Sequence, residues 1–301
     1  MNEGFSRRQF LKDTALLAGA MAAMQSVDCM AAKAEPTAGA ATPAAMPTIR
    51  LGHVEVSRLI LGSNPFFGYA HQDGDLGRQM KEYYTDQQII QILDDAAALG
   101  VTAVSAPPFP EWIRLFNKYR DQGGKLTTWI AQPHGSPKKM KQEIDACAKG
   151  GAKAVYIQGH RVEEQFEKNT FEVVRGWMEH IKSRGMAAGM ASHRPDIHPV
   201  AEKQGFPTDF YFQCFFRVDR HPENYALECR DKAVETIRSI TAKPVVAYKI
   251  LGAARLPPDE AFAYTFQNIA AKDGVCVGIY NKNKPGMLAD DVALMRRMTK
   301  S

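Results

Sequence analysis

Beyond residue 57, short apolar runs alternate with stretches in which apolar residues recur every three or four positions. The runs cover 58–61, 101–105, 127–131, 154–158, 186–190, 210–214, 245–249 and 275–280. Being apolar at most positions and not only at every second residue, they read as strands buried on both faces, as in a parallel sheet. The stretches between them carry helix start signals. Thr85-Asp86-Gln87-Gln88 is a capping box, with Ile89, Leu93 and Ala96 following at helical spacing. Ser136-Pro137 supplies an N-cap and a proline at the first helical position of a helix through Cys147. A long amphipathic helix is expected over 166–181, another over 258–269 and a last one over 289–298. Eight alternating units in about 250 residues predict an α/β fold, a (β/α)8 TIM barrel spanning residues 49–301. The rival, an open doubly wound sheet, wants Gly-x-Gly-x-x-Gly after the first strand, and the chain has none there.

The first 34 residues break this pattern. Ser6-Arg7-Arg8-Gln9-Phe10-Leu11-Lys12 precedes a mild apolar run, Thr14 to Met24, and Ala32-Lys33-Ala34 offers a small-x-small cleavage site. This reads as a twin-arginine export signal, which sends the chain to the periplasm or otherwise out of the cytoplasm through the twin-arginine export machinery. The run is shorter than the ~20 apolar residues a bilayer span needs, so no stable membrane span is expected after processing. Cys29 follows Asp28, a poor neighbour for a lipidated cysteine. Residues 35–48, rich in Ala, Pro and Thr, read as a flexible linker.

Charge and composition narrow the partners. With 38 Lys+Arg against 33 Asp+Glu the net charge is +5, and no basic run interleaved with aromatics occurs, so nucleic acid is not an expected partner. Apolar residues at 45% and charged ones at 24% belong to a folded globular chain. Past the signal, Cys147, Cys214, Cys229 and Cys276 form no CxxC and no zinc-ribbon spacing, and Cys214 and Cys276, inside apolar runs, are expected as buried free thiols.

In a barrel, chemistry comes from the C-terminal ends of the strands. Those positions hold Ser63 and Asn64, Ser105, Gln132 and His134, Gln158 and His160, Ser192 and His193, Gln213, Lys249 and Asn281. Three histidines ending three successive strands, and a lysine closing the apolar run before it, are the candidate acid–base groups. His160, Lys249 and His193 are therefore the candidate catalytic residues. Asn64, Gln132, His134, Gln158 and Gln213 are the candidate substrate-binding residues, suited to a small hydroxyl-rich molecule. His71, Asp73 and Asp75 stand beside Pro65-Phe66-Phe67-Gly68-Tyr69, a lid, a substrate platform or a plug. His198 and His221 precede prolines and read as solvent loop residues.

Leu51 to Gly62, Ile157-Gln158-Gly159-His160-Arg161-Val162-Glu163, Gln213, Gly278 and Gly286-Met287-Leu288-Ala289-Asp290-Asp291 together resemble the aldo/keto reductase superfamily over nearly all of residues 50–297. The resemblance implies a (β/α)8 barrel, carbonyl reduction and a nicotinamide cofactor, NAD(P), with Gly278, Asn281 and Lys282 on its side of the barrel. The family's catalytic Asp, Tyr and Lys are missing: Ser105 to Pro110 replaces the segment that carries the first two, and Gln132 or Pro133 stands near the third. Only His160 is kept.

Three functions stay open on these residues. One is an exported oxidoreductase on a small carbonyl or sugar-like substrate, its NAD(P) held tightly through turnover. Another is an isomerase, epimerase, lyase or hydrolase, cofactor-free or using a divalent metal held by His134, His160 and His193. The third is a non-catalytic barrel that binds a small molecule. Replacing Arg7 and Arg8 together with lysine is expected to leave full-length precursor in the cytoplasm, read by immunoblot of fractionated cells. Mature-sized protein in the periplasm would contradict the export reading.

Overall fold

Backbone pairing between successive apolar runs sets the architecture. In the computed structural model, which describes residues 46–72, 74–216 and 227–299, eight parallel strands close on themselves. The export signal, the linker up to residue 45, Asp73 and His221 lie outside the described residues. A hairpin comes first, β1 (Thr48–Leu51) and β2 (Val54–Ser57). The barrel strands are β3 (Leu59–Gly62), β4 (Ala103–Ala106), β5 (Thr128–Ala131), β6 (Ala154–Ile157), β7 (Ala187–Ser192), β8 (Phe210–Cys214), β9 (Val245–Tyr248) and β10 (Gly274–Gly278). Each pairs with the next, and β10 returns to β3 with Val275 beside Leu59. This is a (β/α)8 barrel.

Ten α-helices occur among the described residues: α1 (Leu76–Tyr83), α2 (Asp86–Ala98), α3 (Pro110–Asp121), α4 (Met140–Lys149), α5 (Gly159–Glu167), α6 (Glu172–Ser183), α7 (Ile197–Lys203), α8 (Leu227–Ser239), α9 (Pro258–Asn268) and α10 (Met287–Met298). None is long and apolar enough to cross a membrane. Half of the Thr85 capping box forms: Thr85 Oγ1 accepts from Gln88 N at 3.3 Å, while Gln88 Oε1 accepts from the Thr85 hydroxyl at 3.1 Å and Thr85 N donates instead to Tyr83 O. Two helix expectations are corrected. Ser136-Pro137 opens only a turn, with Lys139 N donating to Ser136 O, and α4 starts at Met140. The single helix expected over 166–181 is two, because Asn169 adopts φ +54° and ends α5 there.

Side chains alternate in and out along each strand. Outward residues such as Leu59, Val104, Trp129, Val155, Met190, Tyr211 and Val275 pack under the helices. Inward ones, Ile60, Ala103, Ile130, Ala154, Tyr156, Ala187, Ala191, Phe210, Phe212 and Val246, form a separate inner core. Ile49, Leu51 and Val56 of the hairpin join that inner core and seal the N-terminal end of the barrel. Inside, size is shared unevenly. Tyr156 on β6 and Phe212 on β8 stack at 3.9 Å between centroids and 8° between planes. They meet because β7 between them presents only Ala187, Gly189 and Ala191 inward.

A Cβ on Gly189 would lie 2.5 Å from the Phe210 ring. Gly189→Ala is therefore expected to lower unfolding free energy by about 1–3 kcal/mol through overpacking, read from urea denaturation.

Candidate active site

The C-terminal ends of the parallel strands share one end of the barrel, so His134 after β5, His160 after β6, His193 after β7 and Lys249 after β9 all lie there. The tightest polar arrangement at this end centres on His193. Glu163, one turn into α5, points its Oε1 at three donors: His193 backbone N–H at 2.5 Å, His193 Nδ1 at 3.1 Å and the Ser192 hydroxyl at 3.2 Å. Burial alone would push the Glu163 carboxyl up; the hydrogen bonds and charge of His193 outweigh it and hold the group down at about 2. In its neutral form His193, with this carboxylate against Nδ1, carries its proton there and leaves Nε2 as the lone-pair nitrogen. Gly159 makes the packing possible, since a Cβ on it would meet His193 Nδ1 at 3.0 Å.

Next to this pair the site is phenolic. The Tyr248 ring sits edge-on to His193 at 5.8 Å. Burial raises its hydroxyl well above the ordinary phenol range, and the neighbouring Cys214 thiol is pushed up to about 12, so both keep their protons. Cys214 donates to Phe216 O at 2.8 Å. Deeper in the barrel Tyr156 and Ser105 share a hydrogen bond of 2.8 Å.

Lys249 leaves β9 with φ +58°, a conformation costly for a side-chain-bearing residue. It lies close enough to the Cys214 thiol for its charge to act on it, and its Nζ is 3.4 Å from His71 Nδ1. His71 Nε2 is in turn 3.1 Å from the Asn64 amide, and its carbonyl accepts from Arg255 at 3.2 Å. Gln72 Nε2 donates to Ala253 O at 2.6 Å. The loops after β3 and β9 are thereby clasped across the mouth. His71, Lys249, Ala253 and Ala254, four of the five non-glycine residues with positive φ among the described residues, belong to this clasp.

Several expectations fall elsewhere. Gln213 alternates outward like Tyr211 and is fully buried, with Nε2 donating to Ser192 O and Cys214 O and Oε1 without a partner. His160 is the second residue of α5, with its ring exposed. His134 is half-buried, edge-on to Phe109 at 5.3 Å, and its backbone N–H is held by Glu143. Gln132 and Gln158 are half-buried two residues beyond inward-facing Ile130 and Tyr156. His198 is no solvent residue: it is fully buried in α7, its Nε2 3.1 Å from Phe212 O, and burial lowers it to about 4. Among the described residues no group of three or more His, Cys, Asp or Glu is arranged to hold a metal ion, so His134, His160 and His193 do not form the expected ligand set. Glu163 was visible in the sequence but stands on a helix, not at a strand end. The inward alternation of Tyr156 and Tyr248 was the readable signal for the phenols.

The residues expected beside NAD(P) do not build a dinucleotide cradle. A Cβ on Gly278 would lie 2.9 Å from Pro65 Cδ, so the space next to it is filled by the loop after β3. Asn281 Oδ1 is taken by the Tyr83 hydroxyl at 3.2 Å, and Lys282 is exposed. Lys284 is paired with Asp290 at 2.8 Å, and the start of α10 also carries buried Asp291, with an unpartnered oxygen and a carboxyl pushed up by burial to about 7. Acidic groups at a helix start oppose the phosphates that such an end otherwise attracts.

No family model matches the chain, and no curated protein matches it. Among solved structures it is similar to an aldo-keto reductase from Bacillus halodurans in its holo form. The identity is 12% and the TM-score 0.53, over 85% of this chain and 95% of that one. The likeness is one of fold.

Glu163 gives the site a measurable acid signature. An unfolded glutamate titrates near 4.5, and here the carboxyl is held at about 2. Its contribution is present in full above pH 4.5 and lost as pH falls through 2. Glu163→Gln should cost about 2 kcal/mol at pH 6, a charged hydrogen bond's worth, and the gap from wild type should close as pH falls toward 2 in chemical denaturation.

Proposed function

We propose that this chain is an exported enzyme that moves protons on a small, sugar-like carbonyl substrate at the mouth of its barrel. The observation that carries the reading is the buried Glu163–His193 pair, a carboxylate holding an imidazole with Nε2 as its lone-pair nitrogen. In this role His193 Nε2 takes the proton from the carbon beside the carbonyl. The C–H electron pair becomes a C=C bond, the carbonyl π pair moves onto its oxygen, and that oxygen takes a proton from Lys249 Nζ, which gives an enediol. The adjacent hydroxyl then returns a proton to Lys249 as its O–H pair forms the new carbonyl. The C=C pair takes the proton back from His193 Nε2 at the former carbonyl carbon, and the isomeric sugar results. Tyr248 and Cys214, both kept protonated, offer neutral hydrogen-bonding groups beside the imidazole and no competing charge. Asn64, Gln132 and Gln158 suit the hydroxyls of such a molecule.

A second reading, carbonyl reduction, is favoured by the barrel's likeness to a holo aldo-keto reductase. It needs a hydride donor as well as a proton, and the described residues beside Gly278 do not cradle one.

The two readings separate in one pair of assays. Trioses, tetroses and hexoses incubated in D2O without cofactor are expected to gain deuterium beside the carbonyl, followed by proton NMR. His193→Ala should slow the exchange by about 10²–10⁴-fold, the usual weight of a general base. Oxidation of NADPH by the same sugars, with no deuterium gained in its absence, would replace isomerisation with reduction. Exchange at the wild-type rate in His193→Ala would remove the dyad from the chemistry.

A further inference from the structure

The rim of the barrel carries an aromatic ladder that the proton chemistry does not use. Tyr69 and Phe67, in the loop after β3, lie 6.4 Å apart between ring centroids; Phe67 meets Phe109, after β4, at 5.0 Å; Phe109 meets His134, after β5, at 5.3 Å. The ladder thus crosses three successive strand-end loops. Its inner rungs are half-buried, while Tyr69 at the outer end is 47% exposed, one of only two large hydrophobic side chains so exposed among the described residues.

Tyr69 is not exposed for want of structure around it. A 3-10 turn, Asn64–Phe67, precedes it, Gly68 turns the chain with φ +76°, and Tyr69 N donates to Asn64 O at 3.0 Å. The loop packs so tightly on α1 that a Cβ on Gly68 would lie 2.5 Å from Gly77 O, and one on Gly77 would lie 2.5 Å from Gly68 O. Beyond Tyr69, the clasp through His71 pins the loop again. A backbone held at both ends presents a phenol ring to solvent in a fixed place.

We infer that Tyr69, with Phe67 and Phe109 behind it, is a stacking subsite for a pyranose ring, so that the substrate is a glycoside or oligosaccharide whose far ring rests on the rim. This extends the sugar-like substrate of the proposed proton chemistry and rests on that reading. The C–H face of a pyranose is apolar and flat, which suits an exposed aromatic ring, while its edge hydroxyls suit neutral amides. Asn64 lies in the same loop and Gln132 in the same strand-end loop as His134, and neither brings a net charge. A charged or purely apolar ligand would match only one half of this surface.

The test titrates methyl pyranosides of glucose, galactose, mannose and xylose, and cellotriose, into the full-length mature protein. Saturation-transfer NMR identifies the protons in contact, and calorimetry gives the affinity. Wild type and Tyr69→Phe are expected to bind at least one pyranoside through its ring C–H face. Tyr69→Ala should bind it about threefold to tenfold more weakly, the weight of one aromatic contact. Because Tyr69 is half in solvent, an unchanged melting temperature is expected to accompany the loss. No binding of any pyranoside by the wild type, or equal binding by Tyr69→Ala, overturns the subsite. His193→Ala separates the two ideas: it should keep pyranoside binding while losing deuterium exchange. Tyr69-dependent binding by a wild type that exchanges no deuterium would leave the subsite standing and remove the proton chemistry.

Discussion

The stack of Tyr156 on Phe212 is the contact on which the rest of the molecule depends. Two rings from strands one apart can meet only if the strand between them withdraws, and β7 does so with alanine and glycine on its inner face. Large faces on β6 and β8 and small ones on β4 and β7 together fill the closed cylinder. The packing leaves no room inside for hydrated groups, so polarity is driven to the strand ends. There the inner core is topped by hydroxyls and a thiol that keep their protons, with one ionised carboxylate.

That carboxylate shows how burial and charge settle their competition. Glu163 loses hydration on entering the wall, and three donors converging on a single oxygen more than restore what was lost. The buried Asp291 on α10 is the contrasting case, with a similar loss of water and an oxygen without a partner, so it drifts toward neutrality instead. Two acids in one protein thus take opposite protonation behaviour from the number of donors that reach them.

Most of the barrel was legible in the sequence because a strand buried on both faces leaves a largely apolar run, and all eight such runs became strands within a few residues of their expected limits. The helices were less legible where a local signal competed with the tertiary one. Asn169 can enter the left-handed region, and there it splits a stretch whose periodicity reads as continuous. The site was legible only at its strand ends. His193 and Lys249 lie just past strand ends, where the sequence puts them, whereas the expectation for Gln213 took its place on β8 without its facing, which the alternation with inward Phe212 turns outward. Glu163 escaped because it reaches the mouth from a helix, and no strand-end rule looks there. The clasp could not be read at all, since its partners are about 180 positions apart in the chain.

The hairpin that closes the N-terminal end has a consequence for traffic. With Ile49, Leu51 and Val56 closing one end of a cylinder already filled by its inner core, the barrel offers one open face and no through-passage. Whatever enters over the rim must leave over the same rim, past the same clasped loops. For the site proposed at that opening, arrival and departure would exclude one another by geometry, and a molecule bound there would block its successor without needing any second place to bind.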